Sequence, residues 1–309
     1  MEQYLKLLDN ILTNGTRRPS GRPGMPDTIS LFGTMMKFDL SKGFPLITTK
    51  KMFTKGIFHE LIWFLNGDTN IKYLVDNGVN IWNGDAYRWY KRKCEELEVE
   101  ATDEDGYIQN IKNLPDFAGY FGNLGRVYGA QWREFVGINN FTVDQIKDAI
   151  DTLKTNPESR RIVITAWNPA EVKNVALPPC HMMFHLNVRP KEIVPGYYLD
   201  CNMYQRSCDS FLGTPFNIAS YAALTSIIAK YVSMEPGVFT WMGGDTHIYE
   251  NHIEQVKLQL SREPKKRPRL IISDNIMNTE YLKGLKIKDF EIKDYEYHPT
   301  IKGELSTGI

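Results

Sequence analysis

Cys180 stands where two prolines give way to an apolar run, in "ALPPCHMMFHLNV" over 176–188. Read as a strand, strict alternation puts Cys180, Met182, Phe184, Leu186 and Val188 on one face. Two readings of the cysteine stand side by side. A free cysteine packs in cores as a small hydrophobe. A cysteine at a strand end, partly exposed and beside cations, is a thiolate nucleophile. The other polar clusters of the chain decide between them.

Four stretches hold polar residues where packing alone would not put them. In "FHELIWFLNG" (58–67), helical spacing sets Glu60 on a face with Ile57, Trp63 and Phe64. A carboxylate there is either a helix-edge group reaching solvent or a general acid/base raised by burial. In "NPESRRIVITAWNP" (156–169), Arg160 and Arg161 begin a strand and point to opposite faces, as a solvated pair or with one reaching a partner subunit. In "YQRSCDSFLGTPFNIASY" (204–221), Gln205, Arg206, Ser207, Asp209 and Asn217 precede or open an apolar helix. Arg206 with Ser207 suits a phosphate. Asn217 reads either as an N-cap or as an amide whose donor and acceptor match the uracil edge. In "GGDTHIYENH" (243–252), His247 and Tyr249 alternate beyond a Gly-Gly turn, as turn packing or as donors to a sugar hydroxyl.

These clusters need a scaffold, and the pattern supplies an α/β (α+β) one. A helix is expected over 2–13, ended by Asn14-Gly15, and "RRPSGRPGMPD" (17–27) must be a loop. "TISLFGTMMKFDL" (28–40) reads as a strand pair. "KKMFTKGIFHELIWFLNG" is helical in period and stops at Gly67, with a second helix from Asp68 or Thr69. A further amphipathic helix is expected over 143–155, and strands over 161–167, 181–189 and 197–204. "FNIASYAALTSIIAKYVSM" (216–234) is the candidate central buried helix. Another helix follows Asp245, and strands near 268–272 and 289–293 close the chain. Residues 84–122 mix a charged helix with acidic, loop-like sequence. With too few apolar residues for a core of their own, they read as a surface insertion in a single domain spanning 1–309.

Composition narrows the class. The 309 residues are 42% hydrophobic and 24% charged, as in an ordinary globular fold. Lys plus Arg equals Asp plus Glu, 37 against 37, which argues against a nucleic-acid binder. Cys94, Cys180, Cys201 and Cys208 form no C-x-x-C pair, so free thiols in a reducing compartment are expected, and no zinc site. With no apolar run of about 18 residues and no signal-peptide pattern at the N-terminus, the expected location is the cytoplasm, or a host cell's, with no membrane partner.

The motifs "LPPCHMMFHLNV", "YQRSCDSFLGTPFNIASYA", "PESRRIVITAWNPAEV", "FHELIWFLNGDTNI" and "MGGDTHIYENHIEQ" together resemble the thymidylate synthase family. The likeness runs in order from "QYLKLLDNILTNG" to "YHPTIKG", leaving out about 84–122. It implies a large mixed twisted sheet packed with helices, one face of which is used for dimerisation. Cys180 would be the nucleophile adding to C6 of dUMP. Glu60, Tyr128 and His181, with Asn217 and Asp209, would complete the catalytic set. Arg22, Gln205, Arg206 and Ser207 would hold the nucleotide, Asn217 would read uracil, and His247 and Tyr249 would take the sugar. Arg160 and Arg161 would reach the phosphate of the other subunit of a homodimer. Ile81, Trp82, Leu177, Asp209, Leu212, Gly213, Phe216 and Ile309 would line the site of the cosubstrate, 5,10-methylenetetrahydrofolate. No metal is implied.

The sequence departs from the family's usual pattern at four places. The loop after Arg22 reads "RPGMPD", Arg126 replaces a proline in "GRVYG", Thr214 stands in "GTPFN", and the end, "GELSTGI", is long and polar. The tail bears on the product. A dry site delivers hydride and gives dTMP; a site open to water gives 5-hydroxymethyl-dUMP, as in the related hydroxymethylases. Asn217 favours uracil in either case. A third reading, an idle relative that only binds nucleotide or RNA, is separated by Cys180→Ser, which would leave an idle binder unchanged.

Overall fold

The computed structural model describes residues 1–21, 24–192 and 194–304. The chain lays down, in order, α1 (Glu2–Asn14), β1 (Thr16–Arg18), β2 (Thr28–Asp39), α2 (Thr54–Leu65), α3 (Lys72–Asp76), α4 (Asn83–Glu96), α5 (Glu104–Asn113), α6 (Pro115–Phe121), α7 (Tyr128–Arg133), β3 (Phe135–Val136), β4 (Thr142–Val143), α8 (Gln145–Thr155), β5 (Val163–Thr165), β6 (His181–Pro190), β7 (Tyr197–Asp209), α9 (Gly213–Tyr231), β8 (Glu235–Tyr249), α10 (Ile253–Leu260), β9 (Arg269–Ile272) and β10 (Phe290–Lys293). A six-stranded sheet runs in the order β1-β2-β8-β7-β6-β5. β7 and β8 are parallel, with α9 as the crossover between them, and the other pairs are antiparallel.

Register sorts the two faces of the sheet. Phe38, Phe239, Cys201 and Leu186 stand opposite one another across four strands, all fully buried. Each such large side chain contributes about 1.5–3 kcal/mol by leaving water. α9 packs against β7 and β8 and is apolar nearly all round, as a helix in the middle of a core must be. On the other face, Met35, Met242, Tyr204 and Met183 form a second row, with Met35 60% and Met183 37% exposed.

Local chemistry explains the element ends. α2 stops in a Schellman turn: Gly67 takes φ +74°, its N–H donates to Phe64 O (3.0 Å), and Asp68 N–H donates to Trp63 O (3.2 Å). Asp144 caps α8 by accepting from Lys147 N–H. Gly243 and Gly244 lie inside β8, where a Cβ would stand 2.4 Å from Trp241 and 2.8 Å from Tyr204 Oη, respectively.

Several expectations need correction. Residues 28–39 form one strand, β2, not a pair, and Gly33 continues it at φ +80°. There is no Gly-Gly turn before His247, because β8 runs straight through to Tyr249, and the next helix waits until Ile253. The alternation through Cys180 also fails. β6 starts at His181, and a bulge between His181 and Met183 shifts its register against β7. The bulge puts His181, rather than Cys180 or Met182, with buried Phe184 and Leu186. Residues 84–122 are mostly helical and do bury a centre: Tyr107 stacks on Tyr90 at 4.7 Å, and Ile111, Cys94 and Ala118 are buried beside them. Aromatic rings supply more buried area per residue than the low apolar count suggested.

Candidate active site

The carboxyl ends of the parallel pair β7 and β8 meet the start of β6 and of α9 at one end of the sheet, and a cavity of about 230 Å³ opens there. The parallel register sets Gln205 beside Gly243, Ser207 beside Asp245 and Asp209 beside His247. The cavity brings together Glu60, Ile81, Trp82, Tyr128, Leu177, Cys180, His181, Gln205, Ser207, Asp209, Gly213, Asn217, His247 and Tyr249. A second cavity of about 650 Å³ adjoins it and shares Glu60, Ile81, Asp209, Gly213 and Asn217. Leu212 and Phe216 line this second space, walled on the far side by 300–303.

Cys180 is half-buried just ahead of β6, while Cys94, Cys201 and Cys208 are buried, and none of the four is in a disulfide. Its N–H donates to Tyr128 Oη at 2.7 Å, and its carbonyl accepts from Arg206 N–H at 2.8 Å. The Arg206 side chain is fastened to the same segment. Nε donates to Pro179 O (2.8 Å) and Nη2 to Pro178 O (2.9 Å), leaving Nη2 3.9 Å from Cys180 Sγ. Its guanidinium carbon lies 5.5 Å from the centre of the Trp167 ring. A cation held beside a sulfur favours the thiolate, the nucleophilic form.

Glu60 is 9% exposed, and Trp82 Nε1 donates to its Oε1 at 2.7 Å. Burial pushes its carboxyl up to about 7, against the pull of the indole N–H. His181 stacks on Tyr128 at 3.9 Å, and its Nδ1 is 2.7 Å from Tyr221 Oη. Burial lowers His181 to about 3 and lifts the Tyr128 phenol well above its ordinary range, so both stay neutral near pH 7. The site thus holds one carboxyl poised near neutrality among uncharged hydrogen-bonding groups.

Asn217 is not an N-cap. It sits in the second turn of α9, whose preceding turn is held by Asp209 Oδ1, accepting from Phe211 N–H (3.0 Å) and Leu212 N–H (3.1 Å). Its amide is oriented by a relay. Trp241 Nε1, only a donor, gives to Gln205 Oε1 (3.0 Å), so Gln205 Nε2 gives to Asn217 Oδ1 (3.0 Å). Asn217 keeps its Nδ2 donors and a second lone pair on Oδ1. His247 Nδ1 lies 3.3 Å from Asp245, which is also paired with Arg18, and His247 meets Tyr249 edge-on at 5.0 Å.

Some expected residues lie elsewhere. Arg160 and Arg161 are exposed ahead of β5 rather than in it, and neither lines the cavity. Arg22 and Ile309 fall outside the described residues, as does the whole "STGI" tail. Arg126 pairs with Glu171 at 2.8 Å and with Glu134, so it braces the start of α7 and takes no part in the Arg206 site. Asp85, in the first turn of α4, lines the cavity and was missed because its segment read as surface. Trp241 and Tyr221 were missed because only the tertiary fold brings them to Gln205 and His181. No group of three or more His, Cys, Asp or Glu able to hold a metal occurs among the described residues, and no described helix is long and apolar enough to cross a membrane.

Fold and site define a class of enzyme that sets a half-buried thiol in the smaller of two adjoining cavities, beside an arginine and a buried carboxyl. A sequence model of the family described as thymidylate synthase matches residues 2–307. The thymidylate synthase of Mycoplasma pneumoniae is 47% identical over 308 residues, 99% of this chain and 100% of its own length. Those of Malacoplasma penetrans and Mycoplasma mobile are 49% and 48% identical over 306 residues, again 99% of this chain and 100% of theirs. The chain belongs to the thymidylate synthase family. The alignments run through 84–122, which the motif resemblance alone had left out.

Proposed function

We propose that the protein methylates dUMP to dTMP with methylenetetrahydrofolate as cosubstrate, through a covalent bond from Cys180 to C6 of the pyrimidine. Full-length relatives that carry the thymidylate synthase name support this reading over the hydroxymethyl product. The observation that carries the chemistry is the Arg206 guanidinium, tied to Pro178 and Pro179 and 3.9 Å from Cys180 Sγ.

C5 of uracil is a poor nucleophile. Thiolate addition at C6 makes C5 an enolate carbon, which splits one hard step into easier ones. Asn217, oriented by Gln205 and Trp241, offers a donor to O4 and an acceptor to N3–H. Ser207 and the remaining N–H groups of Arg206 would hold the phosphate, and His247 with Tyr249 the sugar. Glu60, poised near 7, would move protons with Tyr128 and His181 ordering its surroundings. The larger cavity suits the cosubstrate: apolar Ile81, Leu212 and Phe216 for a bicyclic ring, Asp209 for its N–H groups, and exposed Lys51 for a carboxylate tail. Methylenetetrahydrofolate supplies the one-carbon unit and the hydride.

We further infer a homodimer. The Met35–Met242–Tyr204–Met183 row, exposed at both ends, offers an apolar face, and Arg160 and Arg161 are exposed outside their own cavity, which suits a role at a partner's phosphate. A single domain agrees with one continuous core from Tyr4 to Ile301. A cytoplasmic location agrees with four cysteines that form no disulfide. The test is a product assay: dUMP and methylenetetrahydrofolate should give dTMP with equal dihydrofolate, and Cys180→Ser should bind dUMP without turnover. A Cys180→Ser protein that still makes dTMP would sink the covalent reading.

A further inference from the structure

We propose that His252 is a positioning residue for the C-terminal strap, Thr300–Glu304, and that its hydrogen bond holds the outer wall of the cosubstrate cavity closed against water. This rests on the function proposed above. His252 ends a 3-10 turn, Glu250–His252, just ahead of α10, and is fully buried. Its Nε2 is 3.0 Å from the Glu304 carbonyl. A carbonyl only accepts, so Nε2 carries the hydrogen and the tautomer is fixed. Nδ1 is then bare, and among the described residues it is buried without a hydrogen-bond partner. Burying an unpaired ring nitrogen is costly, and a phenylalanine would fill the same space without that cost. The contact with the strap is what the imidazole adds.

The neighbours fit the same device. His252 packs on Phe211 at 5.1 Å, and a Cβ on Gly303 would stand 2.7 Å from the Phe211 ring and 3.1 Å from His252 Nε2. Only glycine lets the strap lie on this pair. At the other end, Arg262 Nη1 donates to Pro299 O (2.6 Å) and Thr49 O (2.8 Å). Between the two fastenings, Thr300, Ile301, Lys302 and Gly303 line the cavity, and Ile301 is buried. The wall is therefore chain held at both ends, with His252 as one of the two anchors.

What the wall excludes decides the product. The exocyclic methylene on C5 of the nucleotide accepts either a hydride or hydroxide from water. Hydride gives a methyl group, and the cosubstrate leaves as dihydrofolate. Hydroxide gives a hydroxymethyl group, the water's other proton passes to solvent, and the cosubstrate leaves as tetrahydrofolate. In both cases the C6–Sγ bond breaks and the thiolate departs with the electron pair.

The experiment compares His252→Phe, which keeps the ring, with His252→Gln, which restores an N–H donor. Amide exchange over 299–304 is followed in the ligand-free protein, alongside dUMP binding and the methyl-to-hydroxymethyl ratio. Loss of one ordinary hydrogen bond loosens the strap by about five- to tenfold. His252→Phe should raise exchange by that factor, raise KM for the cosubstrate and divert product toward hydroxymethyl-dUMP, with dUMP affinity unchanged. His252→Gln should recover most of each. Gly303→Ala, which lifts the strap with His252 intact, should repeat the Phe result and serves if His252→Phe fails to fold. Unchanged exchange over 299–304 overturns the proposal whatever happens to activity, and so does a loosened strap with wild-type cosubstrate KM and only dTMP formed. A wild-type protein that makes no dTMP overturns the function reading instead, and the exchange measurement still judges the strap.

Discussion

Glu60 links a buried carboxyl to a measurable pH dependence. The native state keeps its proton up to about 7, whereas an exposed glutamate releases it near 4.5. Between those values the folded protein holds a proton that the unfolded chain has lost, so stability falls as pH rises through the window. The stabilising contribution is complete below 4.5 and gone above 7, a difference of about 3 kcal/mol. Glu60→Gln should remove that slope, which denaturant midpoints at pH 4.5 and 8 would show. Equal slopes in the two proteins would mean that Glu60 is ionised in the fold. Thr214 gives a second test at this scale. It is fully buried, and Oγ1 has no hydrogen-bond partner among the described residues. Thr214→Val keeps the shape and removes the hydroxyl, so it should stabilise the protein by about 1–2 kcal/mol in thermal unfolding. A loss of stability would show that the hydroxyl is satisfied in solution.

The elements show what the sequence carried and what it did not. The helices α1, α2 and α8 were legible because apolar residues recur at helical spacing and ends such as Asn14-Gly15 and Gly67 carry local signals, and α9 because it is a long run of apolar and small residues. The bulge at Met182 was not, because register belongs to the pairing of β6 with β7 and no single strand records it. Cys180 was therefore found by its motif and misplaced by its alternation. Asn217 does line the cavity, but the relay that orients it joins Trp241 to Gln205, 36 positions apart, and Gln205 to Asn217, 12 apart. The segment 84–122 failed for a different reason: counting apolar residues undervalues tyrosine. Tyr107 tests that point. Truncating this buried ring to alanine should cost about 3–5 kcal/mol and raise amide exchange across α4–α6 first. An exchange pattern unchanged in those helices would mean that they fold on other contacts.

At the scale of the molecule, the sheet has one face committed to α9 and one with methionine and tyrosine in view. Met183→Lys places a charge at the β6 end of that open row, on one of its two exposed methionines. If the row is the dimer face, sedimentation should show monomers, and affinity for the phosphate of dUMP should fall because Arg160 and Arg161 would lose their partner site. A dimer that survives the lysine would put the interface elsewhere.

The two cavities share a wall: Glu60, Ile81, Asp209, Gly213 and Asn217 face both. A ligand in one space becomes part of the surface seen by a ligand in the other. Thermodynamic linkage then requires reciprocity. Whatever factor the nucleotide adds to the affinity for the cosubstrate, the cosubstrate must return to the nucleotide. Where that factor exceeds one, singly occupied enzyme is rarer than two independent cavities would leave it.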